Sequence, residues 1–439
     1  MRGIHMKKIS IFFSMLSIFL LMSGSVNVKA ATSSPPEVES EAAVLMDVNT
    51  GDIIYDKNAN KPLAPASTTK VMTALLTLEK AKLDDKVTIS KVPPTAEGTS
   101  IGLKEGEIYT VNDLLHGLLL ESANDCAEAL AEHVGGSMDN FVKMMNERAK
   151  QLGANNTNFV NPSGLYEPGH LTTAHDLSLM LKEAIKNPTF VKICRTQVYK
   201  FPPSNLDGNE KWVSTKDELI RKNSPHEYQY ALAGKTGYTT LSKHTFTAAA
   251  EKDGHTLIVS MLYSQSKQFY FDDAKKLFEY GFKNYKPIKL YCKGDEVASY
   301  NVTKSLSVPL IATKDIYYLI NKNDYKPNLS DNDIKNNLAP KITIKSANLE
   351  KTSFKQGQEI LDSDVTVKGK ELCDLKLASS IDREYKGILP TSASYKNIKP
   401  FVLALAIAIT SIFLITLRKY IKFKKKQYIL RRKYDNITQ

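Results

Sequence analysis

Ser67-Thr68-Thr69-Lys70 sets a hydroxyl and an amine three residues apart, just ahead of the apolar run Val71 to Leu76. Pro65 one turn early, then serine and threonine before that run, mark the start of a buried helix. Residues three apart on a helix share a face, so the Ser67 hydroxyl and the Lys70 amine can meet. That is the arrangement of a serine nucleophile with a neighbouring base to take its proton. Ser264-Gln265-Ser266-Lys267 has the same spacing, so the pattern alone does not decide between the two. Two more motifs follow in order, Ser122-Ala123-Asn124 and Lys235-Thr236-Gly237. The first of these types is common and recurs at Ser25-Val26-Asn27 and Ser346-Ala347-Asn348, whereas Lys-Thr-Gly occurs once. Their setting gives them weight: one opens a helix, one lies at a break between helices, and one leads into a strand.

The elements that would hold them can be read along the chain. Residues 42–47 and 52–56 read as strands joined at Asn49-Thr50-Gly51, a hairpin signal. The Ser67 helix follows, then loop and short strand over 92–107. A very apolar helix over 112–120 breaks at 121–124, and a second helix ends at Gly135-Gly136. Ser137 caps a third, with Phe141, Met144, Met145, Ala149 and Leu152 at helical spacing. Thr172 or Thr173 caps a fourth, running to Asn187-Pro188. Beyond Lys235, strand-like runs 244–250 and 256–263 meet at Asp253-Gly254, a tight-turn pair, and a helix over 272–280 closes the domain. Strands at both ends with helices between predict an α+β domain over 38–286, an antiparallel sheet covered by helices. From residue 287 short alternating runs between polar turns predict a small all-β domain to residue 378, followed by a polar linker over 379–399.

The 439 residues carry a formal net charge of +12, which raises nucleic acid or membrane as partners. Its distribution removes nucleic acid. Arg2, Lys7, Lys8 and Lys29 stand without an acid in residues 1–30, and nine basic residues face only Asp435 from Arg418 onward, which leaves 31–417 neutral. Lys7 and Lys8 before an apolar stretch over 9–22, with Val28-Lys29-Ala30 for cleavage, read as a secretory signal over 1–30. Residues 401–417 are uncharged and, at about 26 Å as a helix, reach the short limit for spanning a bilayer. A transmembrane helix over 400–418 with a basic tail over 419–439 follows. The positive-inside rule puts that tail in the cytoplasm and the body of the protein outside, tethered to the cell membrane by its C-terminus. Cys126, Cys194, Cys292 and Cys373 show no CxxC spacing and read as small buried thiols.

The three motifs in this order are the signature of β-lactamases and penicillin-binding proteins. Over roughly residues 40–420 the chain resembles the low-molecular-mass penicillin-binding proteins, the serine D-alanyl-D-alanine carboxypeptidases. Phe159-Val-Asn-Pro-Ser-Gly-Leu165 and His170-Leu-Thr-Thr-Ala-His-Asp-Leu177 resemble segments of that family, and a β-rich second domain with a C-terminal anchor is its layout. The resemblance implies that Ser67 attacks the terminal D-Ala-D-Ala bond of a peptidoglycan pentapeptide and leaves an acyl-enzyme for water. Lys70 would be the base, its pKa lowered by burial and by Lys235. Ser122 would relay the proton to the leaving amine, and Asn124 would hold Lys70 and the substrate amide. Lys235 and Thr236 would take the substrate carboxylate, Gly237 would let its backbone approach, and the amides of Ser67 and Tyr238 would form the oxyanion hole. β-Lactams would acylate Ser67 as mimics. No cofactor is implied.

The chain departs from the family after Lys235-Thr-Gly-Tyr-Thr. Relatives there carry a small residue and glycine; this chain has Ser242-Lys243-His244, and Lys243 reads as a solvated loop cation. His170 and His175-Asp176 lack zinc-peptidase spacing and read as capping or packing residues. No E-x-x-L-N follows Glu167, so it does not match the deacylating glutamate of class A β-lactamases. A β-lactamase or D,D-endopeptidase on the same scaffold is the alternative enzyme. A silent cell-wall-binding protein is the non-enzyme alternative, and the three intact motifs stand against it.

Overall fold

The computed structural model describes residues 34–385 and 392–435; the signal segment expected over 1–30 lies outside the described residues. The chain forms two compact units. One runs to Tyr291 and includes Asp315–Pro340, and the other comprises Cys292–Lys314 with the residues from Lys341 onward.

The first unit is built on a hairpin, β1 (Ala42–Asp47) and β2 (Ile53–Lys57), at the start of the chain. Two short hairpins interrupt the helical middle, β3 (Lys86–Thr88) with β4 (Ile108–Thr110) and β5 (Val198–Lys200) with β6 (Trp212–Ser214). Then come β7 (Ala231–Thr239), β8 (Lys243–Lys252) and β9 (His255–Ser264). They join the first hairpin in one antiparallel sheet of order β2-β1-β9-β8-β7. β1 is buried throughout because it sits inside the sheet with both faces covered, so it reads as a continuous apolar run.

Seven helices of this unit bear on the site or its frame: α1 (Lys70–Lys80), α2 (Val111–His116), α3 (Asn124–Gly135), α4 (Met138–Gln151), α5 (Ala174–Ala184), α6 (Pro188–Cys194) and α7 (Lys267–Asn284). On β9, Leu257 lies where Gly281 of α7 passes closest, while Ser260 hydrogen-bonds Ser178 of α5 at 2.8 Å. Odd and even residues of a strand face opposite ways, so α5 and α7 cover the two faces of the sheet. Every residue of α1 from Lys70 to Thr77 is buried, packed among α3, α4 and α5. A helix enclosed on all sides must be apolar all round, which is what Val71 to Leu76 supplies.

β10 (Tyr285–Tyr291) continues directly from α7 and pairs with β13 (Ile316–Asn321), and α8 (Asp331–Leu338) follows. These three cluster with the first unit by their contacts, although they follow residue 287 in the chain or straddle it. α8 buries only Ile334 and Leu338, too few apolar positions to register as a helical period. The second unit is an antiparallel sheet of order β11-β12-β16-β15-β14: Glu296–Thr303, Leu306–Ala312, Lys370–Ser379, Glu359–Val367 and Lys341–Ile344. Cys126 and Cys194 are buried, but Cys292 is exposed and Cys373 half-buried, so the expectation of buried thiols fails for the last two. α9 (Ser392–Asp435) is 44 residues long and holds the apolar stretch with its side chains exposed. It is long and apolar enough to cross a membrane. The helix extends beyond residues 400–418 on both sides, with Pro400 inside it and no glycine to interrupt the Lys- and Arg-rich flank.

Candidate active site

Ser67 does not sit on an α-helix. Ala66–Thr69 form one turn of 3-10 helix, and α1 begins at Lys70. With three residues per turn, side chains at i and i+3 eclipse, so the tighter turn aligns Ser67 with Lys70 more closely than an α-turn would. Lys70 Nζ lies 2.9 Å from Ser67 Oγ, 2.6 Å from Asn124 Oδ1 and 2.6 Å from the Ser163 carbonyl. The amine is fully buried, and that burial first, then the charge of Lys235, holds its pKa well below that of an ordinary lysine. In the neutral form two N–H groups satisfy Asn124 and Ser163, and the lone pair faces the Ser67 hydroxyl.

The second motif is placed by a break in the helical backbone. After α2 the chain widens into a π-turn over Gly117–Glu121, and Ser122 takes a left-handed conformation at φ 69°, ψ 30°. A non-glycine residue there is strained by about 1–2 kcal/mol, and the break turns Ser122 out of the helix towards the third motif. Lys235 Nζ donates to Ser122 Oγ at 2.9 Å. Asn124 opens α3, accepting from Lys70 and donating to the Glu97 carbonyl at 2.5 Å, so its amide is fixed at both ends.

Lys235, Thr236, Gly237 and Tyr238 lie on β7, the edge strand of the sheet. Lys235 is buried, which lowers its pKa to about 8 against the opposing pull of Cys194, Asp217 and Glu121. A Cβ at Gly237 would stand 2.8 Å from the Ser67 amide nitrogen and 2.3 Å from Thr245 Oγ1, so only glycine lets β7 pass this close to the nucleophile. Thr236 is half-buried, and Tyr238 is more than half exposed with its ring against His244 at 4.5 Å. All eight residues read from the sequence therefore lie in one region of the first unit.

Three contributors carry no motif. Gly164, at φ +82°, lies so close to Ala66 that an added Cβ would fall 1.8 Å from the Ala66 carbonyl oxygen. The loop it belongs to supplies the Ser163 carbonyl and accepts from Thr73 Oγ1 through Pro162 at 2.6 Å. His170 is buried against the turn that carries Ser67. Its Nδ1 accepts from the Val160 amide at 3.1 Å, and its Nε2 lies 2.9 Å from Thr69 Oγ1, whose hydrogen goes to the Ala66 carbonyl. That pattern requires a neutral ring with the proton on Nε2, in line with burial and Lys70 lowering its pKa to about 4. The packing role read for His170 fits both contacts. Asp217 is the third: buried, with Oδ2 lacking a hydrogen-bond partner and its pKa raised by burial to about 7. Its carboxylate raises the pKa of Lys235. Asp217→Asn should therefore move the alkaline limb of the activity profile to lower pH, which a kcat/KM series against pH will read.

The rival serine–lysine pair is disposed of by its partners. Lys267 is paired with Glu218 at 2.8 Å, and Ser264 Oγ donates to the Ser266 carbonyl. Lys243 adopts φ 54°, the left-handed conformation that the glycine of relatives would take at no cost. Glu167 accepts from Asn161 Nδ2 at 3.1 Å, within its own loop.

The geometry agrees with what the chain is similar to. A family model for D-alanyl-D-alanine carboxypeptidases matches residues 29–266, more than half of the chain. The chain belongs to the D-alanyl-D-alanine carboxypeptidase family. A second model, for the C-terminal domain of penicillin-binding protein 5, matches residues 285–385. This carboxypeptidase is 33% identical over 358 residues to the D-alanyl-D-alanine carboxypeptidase DacF of Bacillus subtilis, covering 80% of this chain and 87% of that one. Against DacB2 of Mycobacterium tuberculosis the identity is 37%, over 58% of this chain and 87% of that one. Among solved structures, penicillin-binding protein 5 of Haemophilus influenzae superposes with a TM-score of 0.64 at 26% identity, covering 80% of this chain and 98% of that one.

Proposed function

We propose that this D-alanyl-D-alanine carboxypeptidase removes the terminal D-Ala of peptidoglycan pentapeptide stems through an acyl-enzyme on Ser67. The observation that carries the assignment is the Lys70 amine, buried and held between Ser67, Asn124 and Ser163 with its pKa lowered. Neutral Lys70 takes the Ser67 proton as Oγ adds to the carbonyl of the penultimate D-Ala. The Ser67 and Tyr238 amides receive the oxyanion, at the closest approach of the 3-10 turn to β7. Ser122 relays the proton held by Lys70 to the departing amine, which restores neutral Lys70, and the C–N bond breaks to release D-alanine. Water then cleaves the ester and returns the proton to Ser67. Protonated Lys235, with Thr236, binds the free carboxylate that distinguishes a carboxypeptidase substrate. The outer edge of β7 offers backbone groups to the extended stem peptide.

The basic flank of α9 supports a membrane anchor at the C-terminus with the catalytic unit outside the cytoplasm. Labelling with a fluorescent penicillin tests the nucleophile. Wild type should be labelled and Ser67→Ala should not. Labelling that survives Ser67→Ala, or wild type that frees no D-alanine from a diacetyl-Lys-D-Ala-D-Ala peptide, would overturn the reading.

A further inference from the structure

Trp212 is the only tryptophan in the chain, and it is 59% exposed on β6. Along residues 212–217 exposure alternates strictly: Trp212, Ser214 and Lys216 are exposed, while Val213, Thr215 and Asp217 are buried. The segment is therefore extended, and its exposed residues form one row on one side. The row ends at the active site. Lys216 donates its backbone N–H to the Leu120 carbonyl at 3.2 Å, two residues before Ser122, and its ammonium pairs with Glu121 at 2.9 Å. From Lys216 back to Trp212 is four residues, about 13 Å of extended chain.

The surroundings of the indole are those of a saccharide site. Val198, on the neighbouring strand, is 56% exposed on the same face of the hairpin, adding apolar surface. Lys200 Nζ stands over the indole, 5.1 Å from its centroid, and pairs with Glu210 at 2.6 Å, so a donor lies at the ring with an acceptor next to that donor. A flat apolar plate flanked by planar or charged polar groups suits a pyranose, whose axial C–H face is apolar and whose rim carries hydroxyls. The core of the hairpin does not need the indole, since its inner face is filled by Tyr199 and Val213, and the contact with Lys200 leaves the ring 59% exposed.

We propose that Trp212, with Lys200 and Glu210, is a platform for the glycan strand to which the stem peptide is attached. The inference rests on the carboxypeptidase reading for its substrate. The reach permits it: the four stem residues before the scissile bond span about 13–14 Å when extended, about as far as Trp212 lies along the chain from Lys216, so a stem that leaves the β7 edge beside Ser122 is long enough to approach the indole. A stem entering the cleft beside Ser122 would then leave its sugar near the indole. The enzyme would thereby favour stems still attached to glycan over free peptides, without altering the groups that make and break bonds.

The single tryptophan makes the platform directly observable. Titrating the full-length enzyme with a peptide-free β-1,4-linked N-acetylhexosamine oligosaccharide should shift its tryptophan emission saturably, with a dissociation constant of about 1 mM. The second measurement is a ratio: kcat/KM for a disaccharide-linked pentapeptide over kcat/KM for the same pentapeptide without sugar. Trp212→Ala should lower that ratio about three- to ten-fold, and Trp212→Phe should restore part of it. Emission that stays flat, or a ratio in Trp212→Ala equal to that of wild type, overturns the platform. Absence of D-alanine release from either substrate by wild type would instead sink the carboxypeptidase reading, while the emission titration still decides the platform.

Discussion

Lys70→Arg is expected to abolish acylation as completely as Lys70→Ala. Arginine keeps the positive charge and much of the length, but it does not deprotonate in a protein and so cannot take the Ser67 proton. A second-order acylation rate measured with a labelled penicillin should fall roughly 10³-fold or more in both variants, about 4 kcal/mol of transition-state stabilisation. Substantial activity in Lys70→Arg would mean that Lys70 serves by charge alone. The pH profile of wild type carries the same argument. Lys70 must be neutral, so kcat/KM rises with pH through its lowered pKa. Lys235 must stay cationic to hold the substrate carboxylate, so kcat/KM falls as pH passes about 8. The profile should be bell-shaped, with an alkaline limb more than two units below an ordinary lysine.

The second large effect falls on a residue outside the three catalytic motifs. Gly164→Ala would push a methyl group to 1.8 Å from the Ala66 carbonyl oxygen and 2.8 Å from Thr69 Oγ1, at a backbone φ of +82°. Left-handed strain and the forced displacement together should destabilise the catalytic unit by about 2–4 kcal/mol. For a unit of this size that is roughly 5–15 °C in Tm, measurable by calorimetry. Acylation should fall further than the fraction folded explains, because the loop that moves holds the Ser163 carbonyl against Lys70. A variant with wild-type Tm and labelling would show that the contact between Gly164 and the nucleophile turn is dispensable.

These two residues illustrate different degrees of legibility. Lys70 could be found because its spacing from Ser67 reflects local helical geometry, and because the other two motifs stood in order behind it. The sheet could be read as well: Asn49-Thr50-Gly51 and Asp253-Gly254 marked its hairpins within a residue or two. Gly164 was hidden. Its importance comes from contact with Ala66, 98 positions earlier, and a Pro-Ser-Gly loop looks the same whether or not it touches anything. Asp217 was hidden for the same reason, sitting in a polar stretch with its carboxylate buried only because β7 and its neighbours close over it.

The sequence by itself determined the chemistry on offer: a serine–lysine pair, a lysine leading into a strand, and an apolar C-terminal stretch flanked by cations. These are properties of neighbouring residues, set by local periodicity and composition. The tertiary structure decided which of two serine–lysine pairs has an unencumbered amine, for Lys267 is spent on Glu218 while Lys70 is buried beside Ser67. It also decided whether Lys70 could serve as the base proposed for it. An exposed lysine is charged at neutral pH, and enclosure by α3, the 162–164 loop and Lys235 of β7 lowers the pKa of Lys70 well below that of an ordinary lysine. Burial is a property of the assembled fold, so no reading of four residues contains it.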